Sequence, residues 1–240
     1  MHIYRIAEMN IAVEAKYEKT YTYMADFLAD SADYELYVAP TEEMIRHEAE
    51  LGEKIHGEAG SPYICEAVAI LRVICDDIVG KGGFFLHCSC LRYKDEAIIF
   101  TAPSGTGKST HAALWRRHFG DDVTMINDDK PLVREKDGRF FIYGTPWNGK
   151  HAIGNNICAP IKAVVFLHQA PENHAERMSP IDALTLLLQQ TVLPGERAEM
   201  SKLLDMLGRL VENTPMYSLG CNISDEAVET IYRQIYESAV

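Results

Sequence analysis

The sequence predicts a mixed α/β protein, with a main domain over residues 81–240 and a small N-terminal α+β subdomain over residues 1–80. Three observations lead to this prediction. Apolar patterns typical of strands and of helices both occur along the chain. They do not alternate strictly, which favours a mixed sheet over a purely parallel one. The 240 residues are 47% apolar and 24% charged, which is enough apolar material to bury a core.

The N-terminal subdomain is predicted to contain short elements followed by one long helix. The long helix covers residues 63–79, because Ser61 is a good N-cap, Pro62 suits the first helical position and Gly80 ends the apolar run. The short elements are, in order, a strand over 3–13, a helix over 21–29, a strand over 34–38 and a helix over 41–50.

The main domain is predicted to begin where the helical pattern changes to a strand pattern. Its last helix begins near Ser224 and places Val228, Ile231 and Ile235 on one face. The other predicted helices cover 109–119, 180–190 and 196–212. The predicted strands cover 84–91, 97–101, 123–126, 130–134, 139–143 and 163–167.

Charge and composition exclude several function classes. The 23 Lys and Arg against 35 Asp and Glu give a net charge of −12. Such an acidic surface repels nucleic acid and anionic membranes, although one local basic pocket for a phosphate remains compatible with it. Membrane-spanning and signal-peptide patterns are not found. The six cysteines are scattered, and the Cys88 and Cys90 spacing lacks zinc-site partners, so we expect reduced thiols and a cytoplasmic location.

A glycine-containing turn joins the strand over 97–101 to the helix over 109–119. Gly105 and Gly107 allow backbone amides to approach phosphate oxygens, and the following helix N-terminus adds free amides. Lys108 supplies a positive charge and Ser109 a hydroxyl for Mg²⁺. The common pattern G-x-x-x-x-G-K-[ST] would require glycine at 102, where this chain has alanine. We therefore predict a phosphate loop (P-loop) for a nucleoside triphosphate, the alternative being a simple helix cap.

Two adjacent carboxylates follow the next predicted strand. Asp128 and Asp129 lie about 20 residues after Lys108. At a strand end beside a phosphate loop, one carboxylate can hold Mg²⁺ while the other accepts a proton from an attacking hydroxyl. The alternative is a polar turn leading into Lys130.

Together these motifs resemble the HPr kinase/phosphorylase family and its relatives, the ATP-dependent phosphoenolpyruvate carboxykinases. The family's loop has the form S-G-x-G-K-[ST], which the segment 104–110 matches without a glycine at 102. The Asp128 and Asp129 pair follows, and a His-x-Ser motif precedes the loop at His87 to Ser89. The resemblance covers about residues 84–167, and it is nearest to small HPr-kinase-like proteins of peptide-modification systems.

The resemblance implies roles for individual residues. Asp128 is the general base, Asp129 and Ser109 hold Mg²⁺, and His87 contributes charge near the transferred phosphate, unless it is only a structural histidine. Lys108, Asp128 and His87 form the catalytic set. The nucleotide-binding set is Ser104, Gly105, Thr106, Gly107, Lys108, Ser109 and Thr110. HPr kinases have glutamate where this chain has Thr110; the carboxykinase loop has threonine there.

Four further residues are weaker candidates. Trp147 either stacks on a base or substrate or anchors its turn, and Lys150 is within reach of a phosphate. His168 lies at a strand end that faces either the nucleotide or solvent. Arg197, between two helices, is a candidate for contacting phosphate in a neighbouring subunit.

The predicted function is phosphoryl transfer from ATP, or another nucleoside triphosphate, with Mg²⁺. The acceptor is a Ser or Thr hydroxyl of a protein or peptide, or a small hydroxylated metabolite. The alternatives are a nucleotide-binding regulatory or scaffold protein with little turnover, and a simple nucleoside triphosphatase. No nucleic acid or membrane partner is expected, and a homo-oligomer is possible.

Overall fold

The structure is a computed structural model that describes residues 1–237, apart from the side chains of His56 and Lys150. The chain divides into two compact units, Met1–Lys81 and Gly82–Val240. None of the helices within the described residues is long and apolar enough to cross a membrane. No disulfide joins any of the six cysteines, all of which lie within the described residues, and burial raises the pKa of Cys75 to about 12.

The first unit contains a three-stranded sheet and three α-helices. Its elements are β1 (His2–Ile6), β2 (Met9–Val13), α1 (Glu18–Tyr23), β3 (Leu36–Val38), α2 (Glu42–His56) and α3 (Pro62–Gly80). The expected single strand over 3–13 is wrong, because β1 and β2 form an antiparallel hairpin. Ala7 and Glu8 both have positive φ, the conformation of a two-residue hairpin turn. Neither residue type signals such a turn, so the sequence pattern did not reveal it.

A buried carboxylate holds the backbone at the start of α1. Tyr17, the N-cap residue, makes no side-chain cap. Glu66 of α3 accepts instead from the backbone amides of Lys16 (2.6 Å) and Tyr17 (3.2 Å) and from Thr20 Oγ1 (2.5 Å). The helix starts at Glu18, directly after these anchored residues, and ends at Tyr23, before most of the predicted 21–29 range.

The second unit is a nine-stranded mixed sheet with helices, which confirms the mixed α/β fold class. The strands are β4 (Gly83–Phe85), β5 (Cys88–Tyr93), β6 (Glu96–Thr101), β7 (Val123–Asn127), β8 (Leu132–Lys136), β9 (Arg139–Tyr143), β10 (Cys158–Gln169), β11 (His174–Arg177) and β12 (Met216–Cys221). The helices are α4 (Lys108–Phe119), α5 (Pro180–Leu188), α6 (Arg197–Asn213) and α7 (Asp225–Tyr236). The strand order is β4-β8-β9-β10-β6-β5-β7, with β12 also on β10 and β11 on β12.

Strand direction brings several chain segments to one edge of this sheet. β10 is parallel to both β6 and β12, so the carboxyl ends of all three strands lie at the same edge. β5 is antiparallel to β6 and β7, with Cys88 opposite Thr101 and Cys90 opposite Asn127. The start of β5 therefore meets the ends of β6 and β7. Ligand sites in open α/β sheets lie in this position.

Two predicted strands need correction, and two observed strands have no predicted counterpart. The expected strand over 84–91 is two strands, because β4 pairs with β8 whereas β5 pairs with β6. The strand is interrupted between β4 and β5, where the His87 amide donates to the Gln190 carbonyl at 2.7 Å. The strand expected at 163–167 is twelve residues long. β11 and β12 were not predicted, whereas the helices of this unit begin and end close to their predicted limits.

Candidate functional site

The loop between β6 and α4 contains two glycines whose backbone conformation glycine alone adopts readily. Gly105 has φ +80° and Gly107 has φ +120°, which side-chain-bearing residues rarely adopt. A Cβ at either position would meet nothing within 4 Å, so backbone conformation alone requires glycine here. The loop leads directly into the N-terminus of α4, whose first amides have no helical partner. These amides and the helix dipole make the loop a suitable anion site.

Lys108 is buried and folds back over the loop. Its Nζ donates to the carbonyls of Ala102 (2.9 Å) and Pro103 (3.4 Å). Burial lowers the pKa of Lys108, while Cys88 and the carboxylates of Asp129 and Asp128 act in the opposite direction. The predicted lysine and the predicted carboxylates are therefore close enough to interact electrostatically.

Asn127, at the end of β7, fixes the turn that carries the two carboxylates. Its Oδ1 accepts from the amides of Asp129 (2.9 Å) and Lys130 (2.8 Å). Its Nδ2 donates to Thr145 Oγ1 (3.0 Å) and Asn148 Oδ1 (2.8 Å). The side chain is fully buried. Asn127 therefore connects the Asp pair to the 144–149 segment.

The two carboxylates have different surroundings. Asp128 is buried and accepts a 2.5 Å hydrogen bond from the Ser89 hydroxyl of β5. Asp129 is partly accessible and forms an ion pair with Lys130. Its Oδ1 also lies 3.5 Å from His87 Nε2. The pair thus offers one enclosed carboxylate and one that a metal or ligand can approach.

His87 is held by a residue more than one hundred positions away. Its Nδ1 lies 3.2 Å from Gln190 Oε1, which places the ring proton on Nδ1. Burial lowers the pKa of His87, and Lys108 lowers it further, while Asp129 opposes the shift. Burial and Lys108 therefore favour the neutral ring, whereas Asp129 favours the charged one.

The segment 144–149 packs against the Asp pair. Thr145 Oγ1 donates to the Lys130 carbonyl at 2.7 Å, and the Lys130 amide donates to the Trp147 carbonyl at 3.2 Å. Trp147 is only 2% exposed, so it anchors this turn and presents no open face to a base or substrate. Of the two interpretations of Trp147, the structure favours the anchor.

Gly149→Ala should disturb the Asp pair. Gly149 has φ +67°, and a Cβ there would lie 3.1 Å from Asp129 Cβ. Gly138→Ala is the matched control, since Gly138 has φ +73° but nothing within 4 Å. Each variant should lose about 1–2 kcal/mol of stability through its positive φ. Only Gly149→Ala should also weaken the predicted Mg²⁺-dependent ATP binding, measured by calorimetry. Equal affinity loss in both variants would contradict a role for this contact.

The donor set suits Mg²⁺. Mg²⁺ prefers carboxylate and hydroxyl oxygens and takes its other ligands from phosphates and water. The accessible Asp129 carboxylate and the half-buried Ser109 hydroxyl are donors of this kind. No group of three or more His, Cys, Asp or Glu side chains suited to a metal occurs within the described residues. A metal at this site would therefore depend on the nucleotide for part of its coordination.

A cavity of about 610 Å³ opens beside the loop that joins β6 to α4. Gly105, Thr106 and Gly107 form one wall, and α4 continues it with Leu114. The opposite wall comes from the residues that follow β10 and β12, among them Pro171 and Ile223. This volume is within the range of small-molecule sites.

The weaker candidates occupy different places. His168 is exposed on β10, with Nδ1 3.5 Å from Ser218 Oγ, and it lines a second cavity, of about 230 Å³, to which Ala102, Pro103 and Gln190 also contribute. Arg197 is the exposed first residue of α6. The Lys150 side chain lies outside the described residues.

Sequence reasoning missed four residues that shape the site: Ser89, Asn127, Lys130 and Gln190. Ser89 and Asn127 lie inside the motifs described above, but neither motif indicates a role for them. At Lys130 the sequence indicates only a turn. Gln190 follows α5, and no local pattern connects it to His87.

Comparisons with known proteins give limited information. No protein-family model matches the chain, and no curated protein matches it either. Among solved structures, the chain is similar to the HPr(Ser) kinase/phosphatase from Coxiella burnetii, with a TM-score of 0.37 and 11% sequence identity. That similarity covers 62% of this chain and 94% of the other chain. It supports a distant structural relationship only.

Proposed function

We propose that this protein transfers the γ-phosphate of ATP, or of another nucleoside triphosphate, to a hydroxyl group of a protein, a peptide or a small metabolite. One observation carries the proposal. The phosphate loop, Lys108, the Asp pair and His87 come from separate chain segments and meet at one sheet edge. A nucleotide-binding scaffold would need the loop but not the carboxylates and histidine beside it.

The loop and Lys108 form the donor side of the site. The loop amides and the α4 N-terminus bind phosphate oxygens, and the Lys108 ammonium neutralises charge on the β- and γ-phosphates. In the free protein the ammonium is held by the carbonyls of Ala102 and Pro103. A bound phosphate gives it a stronger, charged acceptor.

Asp128 and His87 form the acceptor side. The acceptor oxygen attacks the γ-phosphorus, the bond to the bridging oxygen of the β-phosphate breaks, and Asp128 takes the hydroxyl proton. Ser89 holds the Asp128 carboxylate in place through its hydrogen bond. Mg²⁺, held by Asp129 and Ser109, would neutralise charge on the transferring group. The His87 ring, oriented by Gln190, presents Nε2 towards Asp129.

A transfer assay with γ-labelled ATP and Mg²⁺ tests the proposal. Without an acceptor, phosphate release should be slow, because a transferase must limit reaction with water. Adding Ser- and Thr-containing peptides or small polyols should move the label onto one acceptor class and raise turnover. Rapid acceptor-independent release would indicate a hydrolase. Tight ATP binding without turnover across the acceptor panel would indicate a scaffold.

Lys108→Ala should weaken ATP binding about 10- to 150-fold, corresponding to about 1.5–3 kcal/mol for a lost charge-assisted contact. Calorimetry with ATP and Mg²⁺ measures the change. Lys202→Ala is the control, because Lys202 is an exposed lysine on α6 that pairs with Glu199, far from the loop in the chain. Equal binding by wild type and Lys108→Ala would refute nucleotide binding at this loop.

A further inference from the structure

The lining of the cavity of about 610 Å³ includes an exposed aliphatic side chain. Ile223 lines the cavity and is 80% exposed, although it is a large aliphatic residue. Leu114 and Pro171 contribute further apolar surface to the same walls. A flat, largely apolar ligand group entering here would cover Ile223 and remove its surface from water.

Several polar side chains of the cavity wall already have partners within the protein. Asn222 donates from Nδ2 to the Pro171 carbonyl at 3.0 Å, and its Oδ1 accepts from Ser224 Oγ at 2.6 Å. Gln169 Nε2 donates to the Thr106 carbonyl at 3.4 Å.

The His111 ring, which also lines the cavity, has a hydrogen-bond partner within the protein as well. Its Nε2 accepts from Trp115 Nε1 at 3.2 Å, and its Nδ1 is inaccessible to solvent. His111 thus offers nothing to the hydrogen-bonding edge of a base, and Asn222 keeps only one amide proton and one carbonyl lone pair.

We propose that this cavity binds the nucleoside part of the nucleotide by apolar contact with Ile223, and that it accepts adenine and guanine with similar affinity. The proposal rests on nucleotide binding at the phosphate loop, which opens directly into the cavity. Strong discrimination between bases requires hydrogen-bonding groups dedicated to the base, whereas an apolar pocket separates similar ligands only weakly. The side-chain partners described above therefore predict a site that recognises an aromatic ring and distinguishes poorly between purines.

Competition binding with ATP, GTP and inorganic tripolyphosphate tests this inference. Wild type should bind ATP and GTP within about threefold of each other, and both at least about tenfold more tightly than tripolyphosphate. Ile223→Ser should weaken ATP and GTP about three- to tenfold and leave tripolyphosphate unchanged, because only the nucleoside reaches residue 223. Ile181→Ser is the matched control, since Ile181 is 74% exposed but lies outside the cavity lining.

The outcomes separate this inference from the proposed function. If tripolyphosphate binds but ATP binds no more tightly, the phosphate loop stands and the nucleoside cavity is refuted. A preference of about 30-fold or more between ATP and GTP would show that hydrogen bonds distinguish the two bases, and would refute the inference. If Ile223→Ser weakens tripolyphosphate as much as ATP, residue 223 acts on the loop and not on the nucleoside. If neither ATP nor tripolyphosphate binds, the proposed function fails together with this inference.

Discussion

Replacing Asp128 by asparagine should slow phosphoryl transfer by roughly 10²–10⁴-fold while leaving nucleotide binding nearly intact. Asparagine keeps the shape of the side chain and an oxygen that can accept from Ser89, so the turn should be preserved. It removes the basic carboxylate that takes the proton from the attacking hydroxyl. Release of label from γ-labelled ATP, to water and to the best acceptor found, measures the rate. Calorimetry with ATP and Mg²⁺ measures binding.

Asp129→Asn is the informative partner variant. Asp129 is the more accessible carboxylate, so its loss should weaken Mg²⁺-dependent nucleotide binding. The reverse pattern, with Asp128→Asn defective in binding and Asp129→Asn defective only in rate, would exchange the two assignments. If neither variant changes binding or rate, the pair is a structural turn. Thermal unfolding of each variant shows whether a loss reflects misfolding instead.

The sequence predicts those groups of the candidate site that one short chain segment supplies. Gly105, Gly107 and Lys108 follow a strand directly and precede a helix, so local spacing alone indicates an anion-binding loop. Asp128 and Asp129 are likewise adjacent at a strand end. These groups were predictable because backbone conformation at glycine and helix N-termini depends mainly on neighbouring residues.

The partners that orient these groups depend on contacts between distant segments. Gln190 contacts His87 at the point where the strand is interrupted between β4 and β5. The apolar sequence runs through this point without a change, so the sequence pattern does not indicate the interruption. β12 is short and buried on both faces, so it lacks the alternating pattern that identifies a strand. The first half of β10 was not predicted because it contains Pro160 and Lys162, residue types that are uncommon inside strands.

A second large effect concerns acid stability and comes from His111 on α4. The ring is 2% exposed, accepts from Trp115 Nε1 and has no partner for Nδ1 within the described residues. Burial lowers the pKa of His111 to about 4 from its ordinary value of 6.5. The folded protein therefore holds this ring neutral at pH values where the unfolded chain would protonate it.

The sign of the pH dependence follows from proton binding. Below pH 6.5 the unfolded state binds a proton at His111 that the folded state binds only near pH 4, so acid favours unfolding. The stabilisation is complete above pH 6.5 and is lost as the pH falls towards 4. Because one pKa unit corresponds to about 1.4 kcal/mol, the full loss from this residue is about 3 kcal/mol.

Urea unfolding of wild type and His111→Phe, followed by tryptophan fluorescence between pH 7.5 and pH 4, measures this effect. The variant should be less stable at pH 7.5, because Trp115 Nε1 loses its acceptor. The difference in unfolding free energy should shrink or reverse as the pH falls, because phenylalanine cannot be protonated. The contributions of the other titrating groups are common to both proteins and cancel in the difference. His118→Gln, which changes an exposed histidine of the same helix, is the control. A wild-type-to-variant difference that stays constant with pH would show that protonation of His111 does not limit stability in acid.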